Sequence, residues 1–270
     1  MKHGVMAVLI SLCATLPAAA QSTTTDPRPS VAFLTRYDFH LTAEHLSSDD
    51  ERFSWDANFG GELDLVDYIF GRFTFYANYQ VITGDEFRAF DANQGNYTLG
   101  GRLSGRIKGT EVAGVFHHVS RHLSDRPKPF PVDWNMIGVR VSRPISAGKL
   151  LLDTHVDIRS VTQRSYVDYE WELDGGIRAR YPINGQWAVV GGGDLRILGI
   201  DDTVAQCGPA GQCLAYRGTQ TGGRGEGGIR FEGKVAAVEL FLAVEHRIDP
   251  YPLEFDTVTW WSAGFKLLNK

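Results

Sequence analysis

One short polar segment and the strand-like stretch after it contain the side chains that acyl transfer requires. His118 and Ser120 are two residues apart, and Asn135 follows further along the chain. Residues two apart in a strand project from the same face. The set predicts Ser120 as nucleophile, His118 as its base, and Asn135 as the group that orients the imidazole. An alternative use of this segment is metal binding by His117 and His122.

Alternating apolar and polar residues recur along the chain and define the elements that must position this site. In the segment 53–65, for example, Phe53 and Trp55 begin an apolar face opposite a polar one. Near the middle of the chain, Tyr169 and Trp171 begin another apolar face. About twelve such segments occur, with lengths close to the roughly 9–11 residues of a tilted membrane strand.

The lengths of the connections decide between a soluble β-sandwich or barrel, which alternates in the same way, and a membrane barrel. Every second connection is tight, as at residues 108–109 and 184–185, whereas others are long, as at residues 201–218. Short turns on one rim and long loops on the other are typical of bacterial outer-membrane proteins. We therefore predict that residues 31–270 form an all-β fold, a single antiparallel transmembrane β-barrel of about 12 strands.

The N-terminal segment indicates export to that membrane. Lys2 precedes an apolar run over residues 5–16 and a small-residue stretch at 18–20. This order predicts a signal peptide over residues 1–20, followed by a short polar periplasmic tail over residues 21–30. The expected location is the outer membrane of a Gram-negative-type bacterium.

Two cysteines and the net charge complete the compositional picture. Cys207 and Cys213 flank a turn-forming segment, and an exported protein can join them in a loop disulfide. The net charge of −5 gives no indication of a nucleic-acid partner.

The polar face of the strands must line the lumen of such a barrel. It mixes Arg with Asp and Glu, which favours a paired network that fills the interior. A small-solute channel and a structural or interaction barrel with a charge-filled lumen are the two non-enzymatic alternatives. The predicted lumen charges are Arg102, Arg106, Asp153, His155, Asp157, Arg159, Glu170, Glu172, Asp194 and Arg196.

Strand phase decides whether the candidate site faces the lumen or the membrane. The phase that keeps Arg121 out of the lipid turns His118 and Ser120 outward. A hairpin centred near residues 127–128 then places Asn135 across from them. An ester of an outer-membrane lipid is the substrate that this position offers, so the set predicts a lipid-ester hydrolase.

The order His118-x-Ser120, Ser124-Asp125 and Trp-Asn135 resembles outer-membrane phospholipase A, a twelve-stranded barrel whose His, Ser and Asn face lipid. The resemblance implies a hydrolase activated by calcium and by formation of a homodimer, with Ser124 and Asp125 helping to bind the ion. The His-x-Ser pair is also similar to that of lipid A deacylases. The wider His-x-Ser-x-His-Leu-x-Asp pattern resembles uncharacterised exported barrel proteins, for which it implies no activity.

Overall fold

The structure, a computed structural model, describes residues 31–203, 206–207, 213–214 and 216–269. The predicted signal peptide over residues 1–20 and the predicted tail over residues 21–30 lie outside the described residues. Val31–Lys270 forms one compact unit. Among the residues that the structure describes, no helix is long and apolar enough to cross a membrane.

The regular structure of the described residues consists of β-strands. They are β1 (Val31–Leu46), β2 (Trp55–Tyr68), β3 (Gly71–Gly84), β4 (Asp91–Ile107), β5 (Thr110–Leu123), β6 (Val132–Ala147), β7 (Leu150–Ser165), β8 (Tyr169–Pro182), β9 (Trp187–Ile200), β10 (Gln206–Cys207), β11 (Cys213–Leu214), β12 (Gln220–Glu232), β13 (Ala236–Ile248) and β14 (Thr257–Asn269). All except β10 and β11 form one closed antiparallel barrel of twelve strands, with β1 paired to β14. The closure pairs residues 40–46 of β1 with residues 262–268 of β14, and a membrane-spanning sheet requires such closure. The predicted fold is confirmed.

The two shortest strands form a separate sheet in the loop between β9 and β12. Their register pairs Cys207 with Cys213. The side chains of these two residues lie outside the described part of the chain, so the disulfide stays a prediction.

Turn and loop lengths distinguish the two rims of the barrel. One rim carries the connections 69–70, 108–109, 148–149, 183–186 and 233–235, and the other carries 47–54, 85–90, 124–131, 166–168, 201–219 and 249–256. Val31 and Asn269 pair with Tyr68 and Ala236 at the short-turn rim. Bacterial outer-membrane barrels have short turns on the periplasmic side. The long-loop rim is therefore the outer rim.

The turn at Lys108 and Gly109 shows how local sequence sets the start of the strand that carries the candidate site. Both residues have positive φ, +48° and +78°, as a two-residue type I′ hairpin requires. Glycine adopts this conformation without steric cost. The turn brings Thr110 opposite Ile107 and so sets the register of β5 against β4.

Side chains alternate between the outer wall and the lumen along each strand. On β7, Val156 and Ile158 are exposed on the wall, whereas Asp157 and Arg159 are buried inside. Burial of such an apolar wall in hydrocarbon stabilises the barrel by about 25 cal/mol for each Å² removed from water.

Two apolar residues depart from the predicted phase. Phe53 lies before the start of β2, is 3% exposed and packs on Trp260, with ring centroids 5.5 Å apart. A register shift between Tyr169 and Trp171 makes Glu170 an extra residue of β8, so Tyr169 turns inward and Glu170 is left exposed. The predictions that Phe53 and Tyr169 face lipid and that Glu170 lines the lumen are therefore wrong. A β-bulge inserts one residue and changes the phase of what precedes it.

Apolar side chains and one loop fill the outer end of the lumen. The buried cluster there consists of Val132, Trp134, Met136, Val167, Tyr169, Leu198, Ile200 and Ile248. We call residues 249–256 the mouth loop. Arg121 donates hydrogen bonds to the carbonyl oxygens of Asp249 and Pro250, both at 2.7 Å. Arg217 pairs with the carboxylates of Asp249 at 2.8 Å and Asp168 at 2.9 Å, so ion pairs seat the loop in the mouth.

Candidate active site

β5 presents its even-numbered residues to the outer wall and its odd-numbered residues to the lumen, as its exposure pattern shows. His117 and Arg121 line a lumen cavity. His118 and Ser120 therefore project from the outer wall. Because β5 ends at Leu123, beside the loop of the outer rim, this part of the wall lies near the outer surface of the membrane.

The hairpin of β5 and β6 brings the predicted base to the predicted orienting residue. Its loop, residues 124–131, is centred on residues 127–128, and the register pairs His118 directly with Asn135. Nδ1 of His118 lies 2.7 Å from Oδ1 of Asn135. Directly opposed residues of an antiparallel pair have side chains close enough for such a contact. The strand pairing thus joins two residues that are distant in the chain.

Asn135 is the start of a series of hydrogen bonds to two residues that were not predicted from the sequence. Its Nδ2 donates to Oε1 of Gln163 at 2.5 Å, and Nε2 of Gln163 donates to Oδ1 of Asp133 at 3.1 Å. The β6–β7 register pairs Asn135 with Gln163 just before a register shift at Met136. No local pattern identifies Gln163, because its role depends on which strand lies beside it.

The hydroxyl of Ser120 is turned away from the predicted base. Its Oγ lies 2.8 Å from Nε2 of His122, and none of the hydrogen bonds among the described residues joins it to His118. His122 also contacts Lys128, with 3.4 Å between Nδ1 and Nζ, and the edge of the Tyr97 ring, with centroids 5.2 Å apart. The spacing of His122, two residues after Ser120 on the same face, was the signal that could have identified it.

Lys128 places a positive charge and a hydrogen-bond donor next to His122, the partner of the serine. Burial lowers the pKa of its ammonium group, against the attraction of Asp133, which raises it. Lys128 also donates to the carbonyl oxygen of Arg121 at 2.7 Å. An ammonium group can only donate, so its contact with Nδ1 favours the His122 tautomer that carries its proton on Nε2. That proton points at Ser120 Oγ and leaves the serine's own proton free for another acceptor.

The two residues that the resemblance implied as calcium ligands, Ser124 and Asp125, lie next to Arg126. Arg126 donates to the carbonyl oxygen of Ser124 at 3.2 Å and pairs with Asp91 and Glu86, both at 2.6 Å. The guanidinium group thus neutralises the carboxylates nearest to Ser124. Asp125 is exposed, with a φ of +52°. Across the ranges that the structure describes, no three His, Cys, Asp or Glu side chains form a group able to hold a metal.

The alternative metal pair, His117 and His122, is divided by the wall of the barrel. Nδ1 of His117 lies 2.8 Å from the hydroxyl of Tyr76 and the residue lines the lumen. His122 faces outward beside Ser120. The two imidazoles therefore cannot bind one ion.

The remaining predicted lumen charges form ion pairs or line the lumen cavities. Arg159 pairs with Glu172, Asp174 and Asp157, and Arg196 also pairs with Glu172. Asp157 further pairs with Arg140, Arg102 with Glu62, Arg106 with Asp67 and Asp194 with Arg178, while Asp153 and His155 line the lumen cavities. Removal of one partner from a buried pair would leave a buried charge uncompensated, so these side chains depend on one another.

A closed antiparallel barrel with an apolar outer wall, a charged lumen and rims of unequal loop length defines an outer-membrane β-barrel of the Gram-negative type. Its location is the outer membrane, as predicted.

Comparison with solved structures gives the same class. The chain is similar to outer membrane phospholipase A from Escherichia coli, with 10% identity, a TM-score of 0.50, and coverage of 87% of this chain and 92% of that one. It is also similar to the Salmonella typhi outer membrane phospholipase dimer with bound calcium, with 13% identity, a TM-score of 0.51, and coverage of 87% and 90%. The COG4313 outer membrane channel from Pseudomonas putida F1 is similar as well, with 12% identity, a TM-score of 0.51, and coverage of 91% and 99%. At these identities the likeness shows the fold. No protein-family model and no curated protein sequence matches the chain.

Proposed function

We propose that this barrel hydrolyses ester bonds of outer-membrane lipids, with Ser120 as nucleophile, His118 as base and Asn135 as the residue that orients the base. The observation that carries the proposal is the 2.7 Å contact between His118 and Asn135 on the outer wall. A serine on the same face lies next to them. An acyl chain of a phospholipid or of lipid A reaches this position from the membrane itself, so the lipid ester is the substrate class that the location favours.

The contacts of the site support a conventional acyl transfer. With its Nδ1 proton donated to Asn135, His118 keeps a lone pair on Nε2. A rotation of Ser120 between staggered χ1 positions turns its hydroxyl from His122 toward that lone pair. Oγ then attacks the ester carbonyl while its proton passes to His118, and the departing lipid alcohol takes that proton as the intermediate collapses. Water, activated by the same imidazole, releases the fatty acid and restores Ser120.

The direct test is the release of fatty acid from phospholipid and from lipid A by the purified protein folded in detergent. Ser120→Ala is expected to reduce release to the uncatalysed level, because no other group supplies the nucleophile. Ser160→Ala is the matched control, since Ser160 is also exposed on the wall, two strands away. Heat-modifiable migration on gels verifies that each variant is folded. Release at the wild-type rate by Ser120→Ala would overturn the proposal.

Membrane lipids are the substrates, and a homodimer is the assembly that the resemblance implies. Sedimentation of the protein in detergent, with and without lipid substrate, measures whether two copies associate.

A small-solute channel is the second candidate function. The lumen contains two cavities of about 520 and 1060 Å³ that share lining residues, among them Arg224, Glu245 and Arg247. Stepwise conductance in planar bilayers is the expected result for a channel. Its absence favours a structural barrel with a charge-filled lumen.

A further inference from the structure

Four side chains on the outer wall form one continuous hydrogen-bond chain, which we call the outward chain: Asp133, Gln163, Asn135 and His118. The three contacts measure 3.1, 2.5 and 2.7 Å in that order. The chain joins three strands, because Asp133 and Asn135 lie on β6, Gln163 on β7 and His118 on β5. It ends at the predicted catalytic base.

The chemistry of Asp133 gives the outward chain a direction. An ionised carboxylate can only accept hydrogen bonds, so Gln163 must turn its amide nitrogen toward Asp133. The amide oxygen of Gln163 then faces Asn135 and accepts from its nitrogen. Asn135 is left with its oxygen toward His118, and that oxygen can accept only from a protonated Nδ1.

The direction of the hydrogen bonds in the outward chain therefore selects the tautomer of His118. With its proton on Nδ1, the imidazole keeps the lone pair on Nε2, the nitrogen that a base needs. If both amides were reversed, Asn135 would present its nitrogen, and His118 would carry its proton on Nε2. Such an imidazole cannot take the proton of Ser120. An amide can both donate and accept, so amides alone would allow either direction of the outward chain. A carboxylate at its end only accepts and therefore allows one direction.

We propose that Asp133 and Gln163 are positioning residues that hold His118 in the tautomer required of a base. The inference deepens the hydrolase proposed above and, for the catalytic consequence, rests on it. The contact with His118 is made by Asn135, so both residues act through that amide.

The tautomer of His118 is measured directly by ¹⁵N NMR of protein with labelled histidine, in detergent and at a pH about two units above the ordinary His pKa of ~6.5. His118→Gln identifies the signal. We expect one tautomer in the wild type, with the proton on Nδ1. Asp133→Asn supplies both a donor and an acceptor, so Gln163 can reverse, and we expect two tautomers in exchange.

The double variant Asp133→Asn/Gln163→Glu provides the rescue. The new carboxylate at position 163 accepts from Asn135 on one oxygen and from the amide at position 133 on the other, which restores the direction of the chain. The expected result is a return to the single Nδ1 tautomer. Glu170→Gln is the matched control, since it removes an exposed carboxylate from the outer end of the neighbouring strand β8 and should leave the tautomer unchanged.

Hydrolysis is measured on the same proteins. In Asp133→Asn we expect kcat to fall by about tenfold with KM unchanged, the lower end of what loss of an outer orienting group costs, and the double variant should recover most of it. A single Nδ1 tautomer in Asp133→Asn would overturn the inference, as would a folded double variant that still shows two. If the tautomers respond as expected while no protein releases fatty acid, the hydrolase is wrong and the positioning role of Asp133 stands.

Discussion

Ser120 and His122 are joined by a 2.8 Å contact between Oγ and Nε2, on the outer wall of the barrel. A serine site needs one group that holds the serine oxygen and another that accepts the serine proton. His122, held by Lys128 in the tautomer that donates, fixes the serine oxygen. His118, whose Nδ1 contacts Asn135, is the residue that we propose takes the serine proton.

His118 and His122 are therefore expected to differ when each is replaced. We predict that His118→Ala lowers kcat for lipid hydrolysis by about 10²–10⁴-fold, the usual contribution of a general base. His122→Ala should cost less than about tenfold, because it removes a hydrogen bond to Ser120 and not the acceptor of its proton. Fatty-acid release by the two variants, at matched folded concentration, gives the comparison. The reverse order would assign His122 as the base.

Arg217 is expected to control the outer mouth. It links Asp168 and Asp249, which are 2% and 3% exposed. Arg217→Gln leaves both carboxylates buried without the guanidinium that pairs with them, which costs about 3 kcal/mol or more. The mouth loop should therefore detach from the lumen. We predict an increase in single-molecule conductance in planar bilayers. Arg88→Gln is the control, since Arg88 is an exposed arginine of another outer loop, and equal conductance in the two variants would show that Arg217 does not hold the mouth closed.

Asp256 should make the mouth loop sensitive to pH. Partial desolvation raises the pKa of its carboxyl group, and the negative charges of Glu254 and Asp249 raise it further, against the attraction of Arg52. A raised carboxyl pKa stabilises the seated loop below the unfolded value of about 3.9, and this contribution is lost as the pH rises through the folded pKa. Hydrogen exchange of residues 249–256, corrected for intrinsic rates, should therefore show more opening at neutral than at acid pH.

The variant Asp256→Asn isolates this effect. Its amide does not ionise, so the opening of the loop should lose most of its dependence on pH over that range. An unchanged pH profile in the variant would place the titrating group elsewhere.

Chelation is expected to leave the protein unaffected. Arg126 donates to the carbonyl oxygen of Ser124 and pairs with the carboxylates of Asp91 and Glu86, so the negative charge next to Ser124 is already neutralised. We predict equal rates of fatty-acid release in excess EDTA and in millimolar-range calcium. A rate that rises with calcium, in a saturable way, would contradict this and restore the ion that the resemblance implied.

Much of the barrel could be predicted from the chain because the period of two is a local property. Alternation identified the twelve strands, and uneven connections identified the rims. The same alternation, together with the cost of a charge in lipid, turned His118 and Ser120 outward. These inferences need only the identity of residues close together in sequence.

The sequence by itself could not determine which residues of neighbouring strands lie side by side. Sequence indicated that His118, Ser120 and Asn135 share a face, but only the register of β6 against β7 made Gln163 the neighbour of Asn135. Only the bulge at Glu170 turned Tyr169 inward, and only the loop geometry set Lys128 against His122 and left the hydroxyl of Ser120 directed at that imidazole. The physical reason is that the face of a side chain follows from a two-residue repeat, whereas register, bulges and rotamers are decided by contacts between segments that are far apart in the chain.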